Sequence, residues 1–279
     1  MADALTEGHR GPRAEVSDGV VRAGSKTLLN RAAWADGVGA LVKTATVVPG
    51  ADPAVNGAAT LFRDGDGTIE ATVDFHLLTK WKTAGDSLLG ARRLARPDSA
   101  DILIVGAGTV GRSLREAYGA LFPHAAFRIW NRTPGKAETL AAEFENTAPA
   151  PDLEAAVRAS DVVTVATMST DPIIRGAWLR PGTHLDLIGA YRADMREADD
   201  AAMAAGRLFV DSRETTLTHI GELIAPLASG AIAEADILAD FWDGRAMARR
   251  TPEEITVFKN GGGAHLDLMT ARWMLERAR

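Results

Sequence analysis

The sequence predicts an α/β protein: a doubly wound parallel sheet beside a second, α+β domain that is discontinuous along the chain. Three observations carry this. From Asp101 onward, apolar β-rich runs alternate with helical stretches. The residues before it carry short apolar runs separated by Gly- and Asp-rich turns, without that rhythm. The chain then ends on a strand-like run, a glycine loop and an amphipathic helix.

Taken in order, the early runs are Thr27–Asn30, Ala40–Val48, Ala58–Arg63 and Thr68–Asp74. The Asp-Gly-Asp-Gly at 64–67 is a hairpin signal, so these runs read as an antiparallel sheet. A helix is expected from Leu77 to Ala95, and Arg96-Pro97-Asp98 marks a boundary. A strand, a glycine turn, a helix and a second strand follow, the first βαβ unit. Beyond it come a helix near Asp152–Ala159 and strands at Asp161–Thr167 and Thr183–Ala190. A helix beginning near Asp194 leads to a strand at Arg207–Ser212, and the pattern after Ala225-Pro226 is helical. The last helix is expected to fold back on the first domain. This gives residues 1–97 plus 255–279 as one domain and 98–254 as the other.

The turn after Asp101–Val105 reads Gly106-Ala107-Gly108-Thr109-Val110-Gly111. Its glycines serve a tight turn, close backbone approach to a pyrophosphate, and close packing of helix on strand. The helix behind it offers free N–H groups and the positive end of its dipole to phosphates. This is the Rossmann-like fingerprint of a dinucleotide site. The second strand ends in Asn131-Arg132-Thr133, with Lys136 a turn later and no carboxylate where an NAD site usually places one. A guanidinium suits a 2′-phosphate, so NADP(H) is expected over NAD(H). Thr133 can equally cap the helix that begins at Pro134. Ala166, Thr167, Met168 and Gly189 lie at or just past the carboxyl ends of buried strands and are expected along the cofactor.

Composition narrows the class. With 46% apolar and 24% charged residues the chain is ordinary globular protein, and its net charge of −6 argues against nucleic-acid binding. The absence of cysteine excludes disulfides, thiolate metal sites and a cysteine nucleophile. No apolar run is long enough to span a membrane, and no signal peptide is evident, so a soluble, cytoplasmic protein is expected. His219 and Glu222 lie one turn apart without a third ligand at metal spacing, and His265 and His76 look isolated, so no metal is expected.

Several segments together resemble the ornithine cyclodeaminase/mu-crystallin family over nearly the whole chain. They are Val42-Lys43-Thr44, residues 77–99, the glycine turn, and residues 182–199, 210–232 and 255–268. The resemblance implies an N-terminal substrate and dimerisation domain, a homodimer through its sheet, and an active site in the cleft beside the dinucleotide domain. The chain starts later than the family usually does, so an opening helix and strand are expected to be missing. By the same resemblance Arg13 and Lys82 hold a substrate carboxylate and Lys43 stands beside the nicotinamide. Thr83 lies on the cofactor, and Asp267 orients the nicotinamide end unless it is a helix cap.

Two departures from the family pattern shape the expected reaction. Lys82 stands where the family carries an arginine, which exchanges a two-pronged grip for a point charge. Tyr191 follows Gly189-Ala190 where cyclodeaminases place an aspartate, and a phenol is a poor base near neutrality. The expected activity is therefore NADPH-dependent reduction of the C=N bond of a small α-imino acid, of the pyrroline- or piperideine-2-carboxylate type. Lys43 and Tyr191 would serve the proton. The alternatives are an amino-acid dehydrogenase or cyclodeaminase, or a non-catalytic NADPH binder.

Overall fold

A computed structural model describes residues 1–278, which divide into two compact units. One comprises Met1–Gly85 with Gly262–Arg279, the other Asp86–Gly261. The long helix Phe75–Leu94 contributes to both.

In the first unit five antiparallel strands run in sequence order: β1 (Glu15–Ala23), β2 (Lys26–Ala35), β3 (Gly39–Val47), β4 (Val55–Phe62) and β5 (Ile69–Asp74). The Asp-Gly-Asp-Gly turn joins β4 to β5, with Arg63 N–H donating to Thr68 O and Asp66 receiving the Thr68 N–H. Alternation sends Ala33, Leu41 and Leu61 to one face, in register across the sheet. The C-terminal helix Ala264–Ala278 packs there through Ala264, Leu268 and Ala271, spaced to share one side of the helix. It thus folds back on the antiparallel sheet. The opening residues hold a helix, Ala2–Gly8, as well as β1, neither of which the sequence pattern suggested. In β1, Gly19 and the polar residues around it break the apolar alternation that marks the other strands.

The second unit is an eight-stranded sheet whose pairs are all parallel. Its strands are β6 (Asp101–Val105), β7 (Ala126–Trp130), β8 (Thr147–Pro149), β9 (Val162–Val165) and β10 (His184–Leu187). They continue with β11 (Arg207–Val210), β12 (Ile237–Ala239) and β13 (Thr256–Lys259). The order is β12-β11-β13-β10-β9-β6-β7-β8, so the winding reverses between β6 and β9. Within β6, Leu103 and Val105 enter the core on one face while Ile102 and Ile104 enter the core on the other. Both faces are covered, which is why these strands read as continuous apolar runs.

Three details differ from the sequence expectation. β13 inserts between β10 and β11, so residues 255–261 belong with the parallel sheet rather than with the first unit. The helix expected from Asp194 begins only at Asp200, because the preceding backbone is held out of helical geometry by the bridge between Ala198 and Ile174 and by the Glu222 carboxylate, which accepts from the N–H groups of Glu197 and Ala198. The stretch after Pro226 is not continuously helical: the helix Gly221–Ser229 stops at Gly230 in the left-handed region (φ 76°), and the edge strand β12 follows. No helix among the described residues is long and apolar enough to cross a membrane.

Candidate active site

In the first unit the chemistry gathers on the sheet face that meets the C-terminal helix. Lys43 on β3 points the same way as Leu41, and its cross-strand neighbour on β2 is Arg31. Asp267 lies in the first turn of the C-terminal helix, three residues after Ala264 on the buried stripe, and Lys43 Nζ donates to its Oδ1 at 2.9 Å. Both side chains are buried, and the ammonium also stands 4.8 Å from the centre of the Phe75 ring. Burial lowers the Lys43 pKa, with Lys82 and Arg31 pushing the same way against the attraction of Asp267. The Asp267 carboxyl is held below its ordinary value by Lys43, Lys82 and Arg31, which outweigh its burial. Its Oδ2 is buried and has no hydrogen-bond partner.

Lys82 is buried as well, on the long helix, against the glycine loop that precedes the C-terminal helix. A Cβ on Gly262 (φ 67°) would stand 2.5 Å from its Nζ. His265 is far from isolated: its ring meets the His9 ring edge-on at 5.9 Å, and burial, with His9 and Lys82, drops its pKa to about 3. His76 stacks edge-on with Phe75. The structure therefore brings Lys43, Lys82 and Asp267 together. It adds Arg31 and His265, which sequence reasoning missed. Arg13 lies on an exposed stretch before β1, and Arg31 pairs with Lys43 across the sheet. Asp267 is not a helix cap but one half of a buried ion pair. Thr83 is half-buried beside Lys82. Among the described residues no group of three or more His, Asp or Glu side chains is placed to hold a metal ion.

In the second unit each motif glycine has a separate reason. Gly106 has φ 115°, and a Cβ there would lie 2.5 Å from Ala166 O. A Cβ on Gly111 would lie 1.9 Å from Gly106 O, so the helix presses directly on the turn. Gly108 has open space where a Cβ would go and is the N-cap of the helix Thr109–Leu121 without a side-chain cap. The first N–H groups of that helix, at Thr109 and Val110, thus face an uncapped, uncrowded end suited to a pyrophosphate.

Asn131 Oδ1 accepts from the Ala107 N–H at 3.1 Å and its Nδ2 donates to Thr133 O at 3.0 Å, tying the second strand's loop to the glycine turn. Arg132, Thr133 and Lys136 are exposed beyond it. Thr133 is the N-cap by position, yet its side chain makes no capping bond. Met168 and Tyr191 are exposed, and Arg192 donates to the Tyr191 hydroxyl at 3.2 Å.

Behind these loops lies a buried polar layer that sequence reasoning did not single out. Lys259 donates to Leu187 O and Asn260 O, while Tyr118 and Thr164 donate to Asp186. The Glu197 carboxyl is pushed up to about 7, chiefly by burial and against the attraction of Lys259. In the unfolded chain it ionises near 4.5, so between those values the folded state holds the extra proton and this group's stabilisation fades as pH rises. His184 and His265 oppose it. Each has a pKa lowered to about 3 by burial, so the unfolded chain takes their protons below about 6.5 and stability falls with acid. Glu197→Gln removes the carboxyl's share. Its unfolding free energy, from urea midpoints at fixed pH, is expected to fall with acid between pH 6.5 and 4.5 more steeply than the parent's. The difference is about 1 kcal/mol per pH unit, and equal slopes would refute the assignment.

The model of the ornithine cyclodeaminase/mu-crystallin family matches residues 44–279. The chain belongs to that family. It is 50% identical over 98% of its length to a Δ1-pyrroline-2-carboxylate reductase of Paracoccus denitrificans (strain Pd 1222), covering 90% of that protein. It is 34% identical over 79% of its length to the mouse ketimine reductase mu-crystallin, covering 69% of it. Among solved structures, the Thermococcus litoralis Δ1-pyrroline-2-carboxylate reductase in complex with NADH and L-proline superposes with a TM-score of 0.91 at 24% identity, over 99% of this chain and 92% of that one. That likeness establishes the fold. Lys43 and Arg31 precede the matched residues, so the case for them rests on the geometry above.

Proposed function

We propose that this family member is a reductase of the C=N bond in a small cyclic α-imino acid, using NADPH in preference to NADH. The observation that carries the reading is the cluster in the first unit: the buried Lys43 and Lys82 share a single buried carboxylate, Asp267, with the half-buried Arg31, itself paired to Asp18 at 3.2 Å, acting on the same group. With Arg31 balanced by Asp18, the two buried lysines against Asp267 leave an excess of one positive charge that a substrate carboxylate would neutralise. The 50% identity to a Δ1-pyrroline-2-carboxylate reductase names the substrate class such a cluster serves.

The chain's residues then divide the work. Lys82 and Arg31 hold the carboxylate. Lys43, its pKa lowered, is poised to hand a proton to the imine nitrogen, and the unpartnered Oδ2 of Asp267 receives the N–H that results. The glycine turn and the uncapped helix behind it fit a dinucleotide, which when bound supplies the hydride that reduces the imine carbon. Tyr191, exposed and engaged by Arg192, leaves no carboxylate at the position where cyclodeamination would need one.

The test is NADPH and NADH oxidation with pyrroline-2-carboxylate, piperideine-2-carboxylate, and pyruvate with methylamine. Turnover of the cyclic imino acids supports the reading. Tight NADPH binding without oxidation would favour a binder, and ammonia release from ornithine a cyclodeaminase. For the cofactor, Arg132→Ala is expected to raise the KM for NADPH by about tenfold to a hundredfold, the worth of a charge-assisted contact to phosphate. The KM for NADH should stay within about twofold, since Arg132 has no hydroxyl partner to lose there; equal effects on both would exclude 2′-phosphate recognition. A second copy is proposed to dock on the outer face of the antiparallel sheet, where Val21, Trp34 and Val42 are exposed on one side of it. Sedimentation of the intact chain and a Trp34→Glu variant checks this.

A further inference from the structure

We infer that Glu197 is a positioning residue for the nicotinamide half of the dinucleotide, acting as a carboxylate clamp on the two loops that leave β9 and β10. This rests on the proposed cofactor reading and goes beyond it by assigning a residue that touches neither cofactor nor substrate.

The geometry is specific. Glu197 is fully buried, and its one carboxylate receives three donors from two separate loops. Its Oε1 accepts from the Thr167 N–H at 2.7 Å and from the Thr167 hydroxyl at 2.8 Å, while its Oε2 accepts from the Gly189 N–H at 2.6 Å. Thr167 follows β9 and Gly189 follows β10, and those strands are paired neighbours. A Cβ at Gly189 would stand 1.9 Å from Thr167 O and 2.4 Å from Glu197 Oε1, so the loops and the carboxylate are in direct contact. The clamp is itself anchored, since the Glu222 carboxylate holds the Glu197 and Ala198 N–H groups at 2.8 and 2.9 Å.

The location gives the clamp its function. In an open parallel sheet the ligand lies beyond the carboxyl ends of the strands where the winding reverses. Here that point lies between β6 and β9. The glycine turn after β6 forms one wall, taking the pyrophosphate. The backbone after β9 forms the other and lies against Gly106 through Ala166 O. Glu197 fixes this second wall and, through Gly189, the next loop along. The glycine turn and the loop at Arg132, on the far side of β6, would hold the adenine half, which should then owe nothing to Glu197.

Glutamine is nearly isosteric but carries a donor at one end, so Glu197→Gln must set an N–H against either the Thr167 or the Gly189 N–H. Binding is measured above the Glu197 pKa of about 7, where the carboxylate is ionised and accepts all three bonds, by titration calorimetry on the parent, Glu197→Gln and Glu197→Asp. The probes are NADPH, NADH, and the two fragments lacking only nicotinamide, ADP-ribose and its 2′-phosphate. Loss of one charge-assisted bond is expected to weaken the better dinucleotide on the order of tenfold in Glu197→Gln, while its fragment stays within about twofold. Aspartate keeps the charge and should restore part of the loss. Equal weakening of dinucleotide and fragment would make Glu197 merely structural, and no weakening of either would show that the loops need no clamp; each overturns the inference. A parent that binds neither dinucleotide would overturn the cofactor reading, and the inference with it.

Discussion

Lys43→Ala is expected to lower kcat/KM for a cyclic α-imino acid by about a hundredfold to ten-thousandfold, the range spanned by loss of a positioned proton donor. The same change should cost about 3–5 kcal/mol of stability, because it strands the fully buried Asp267 carboxylate beside two remaining cations but without its hydrogen-bonded partner. Activity and stability must therefore be separated. Lys43→Met combined with Asp267→Leu removes both charges, and replacing a buried pair by apolar groups is often close to neutral. Denaturant midpoints should show the double variant recovering most of the stability lost in the single one. NADPH oxidation should show it recovering none of the activity. If activity returned with stability, Lys43 would be a structural lysine and the proton would have to come from elsewhere.

How much of this was legible in the sequence follows from which residues advertise themselves locally. The glycine turn announces both itself and its strand and helix, because its constraints act within a few residues of chain. Lys43 was legible as a charge on an apolar strand, but its partner lies 224 residues away, and only folding sets Asp267 beside it. Asp267 still carried a signal, standing with Ala264, Leu268 and Ala271 on the buried side of a helix where a carboxylate needs a reason to be. Arg31 had a weaker one, since alternation along β2 puts it on the face of Ala33, yet cross-strand registry with Lys43 is a tertiary fact. Glu197 lay in a segment expected to be helical, where a glutamate is unremarked. Its burial depends on the bridged, non-helical backbone that Glu222 holds, and nothing in the local pattern specifies that. β13 was misassigned for a related reason, as a four-residue strand-like run before a glycine loop fits either unit until its partners β10 and β11 are known.

The three glycines of the turn make the sharpest separable prediction, because their physical demands differ. Gly111→Ala drives a methyl to within 1.9 Å of Gly106 O, backbone that cannot yield without moving the helix, so it should destabilise the fold by about 1–3 kcal/mol or more and disturb the phosphate site at once. Gly108→Ala is different. Its φ of −93° and ψ of −171° suit any residue, and no atom lies within 4 Å of the added Cβ. Alanine there should cost at most about 1 kcal/mol, the N-cap preference for glycine being partly offset by restriction of the unfolded chain. The open space matters only when a pyrophosphate occupies it. NADPH affinity is then expected to fall by about tenfold to a hundredfold, the 1–3 kcal/mol of a methyl group forced into a packed contact. Calorimetric titration beside thermal unfolding reads both quantities on one sample. An alanine at 108 that binds NADPH as the parent does would place the pyrophosphate away from this turn and remove the glycine loop from the site. Loss of binding with stability little changed would locate the phosphates at the uncapped end of the helix Thr109–Leu121, because the only thing that methyl can meet is the ligand.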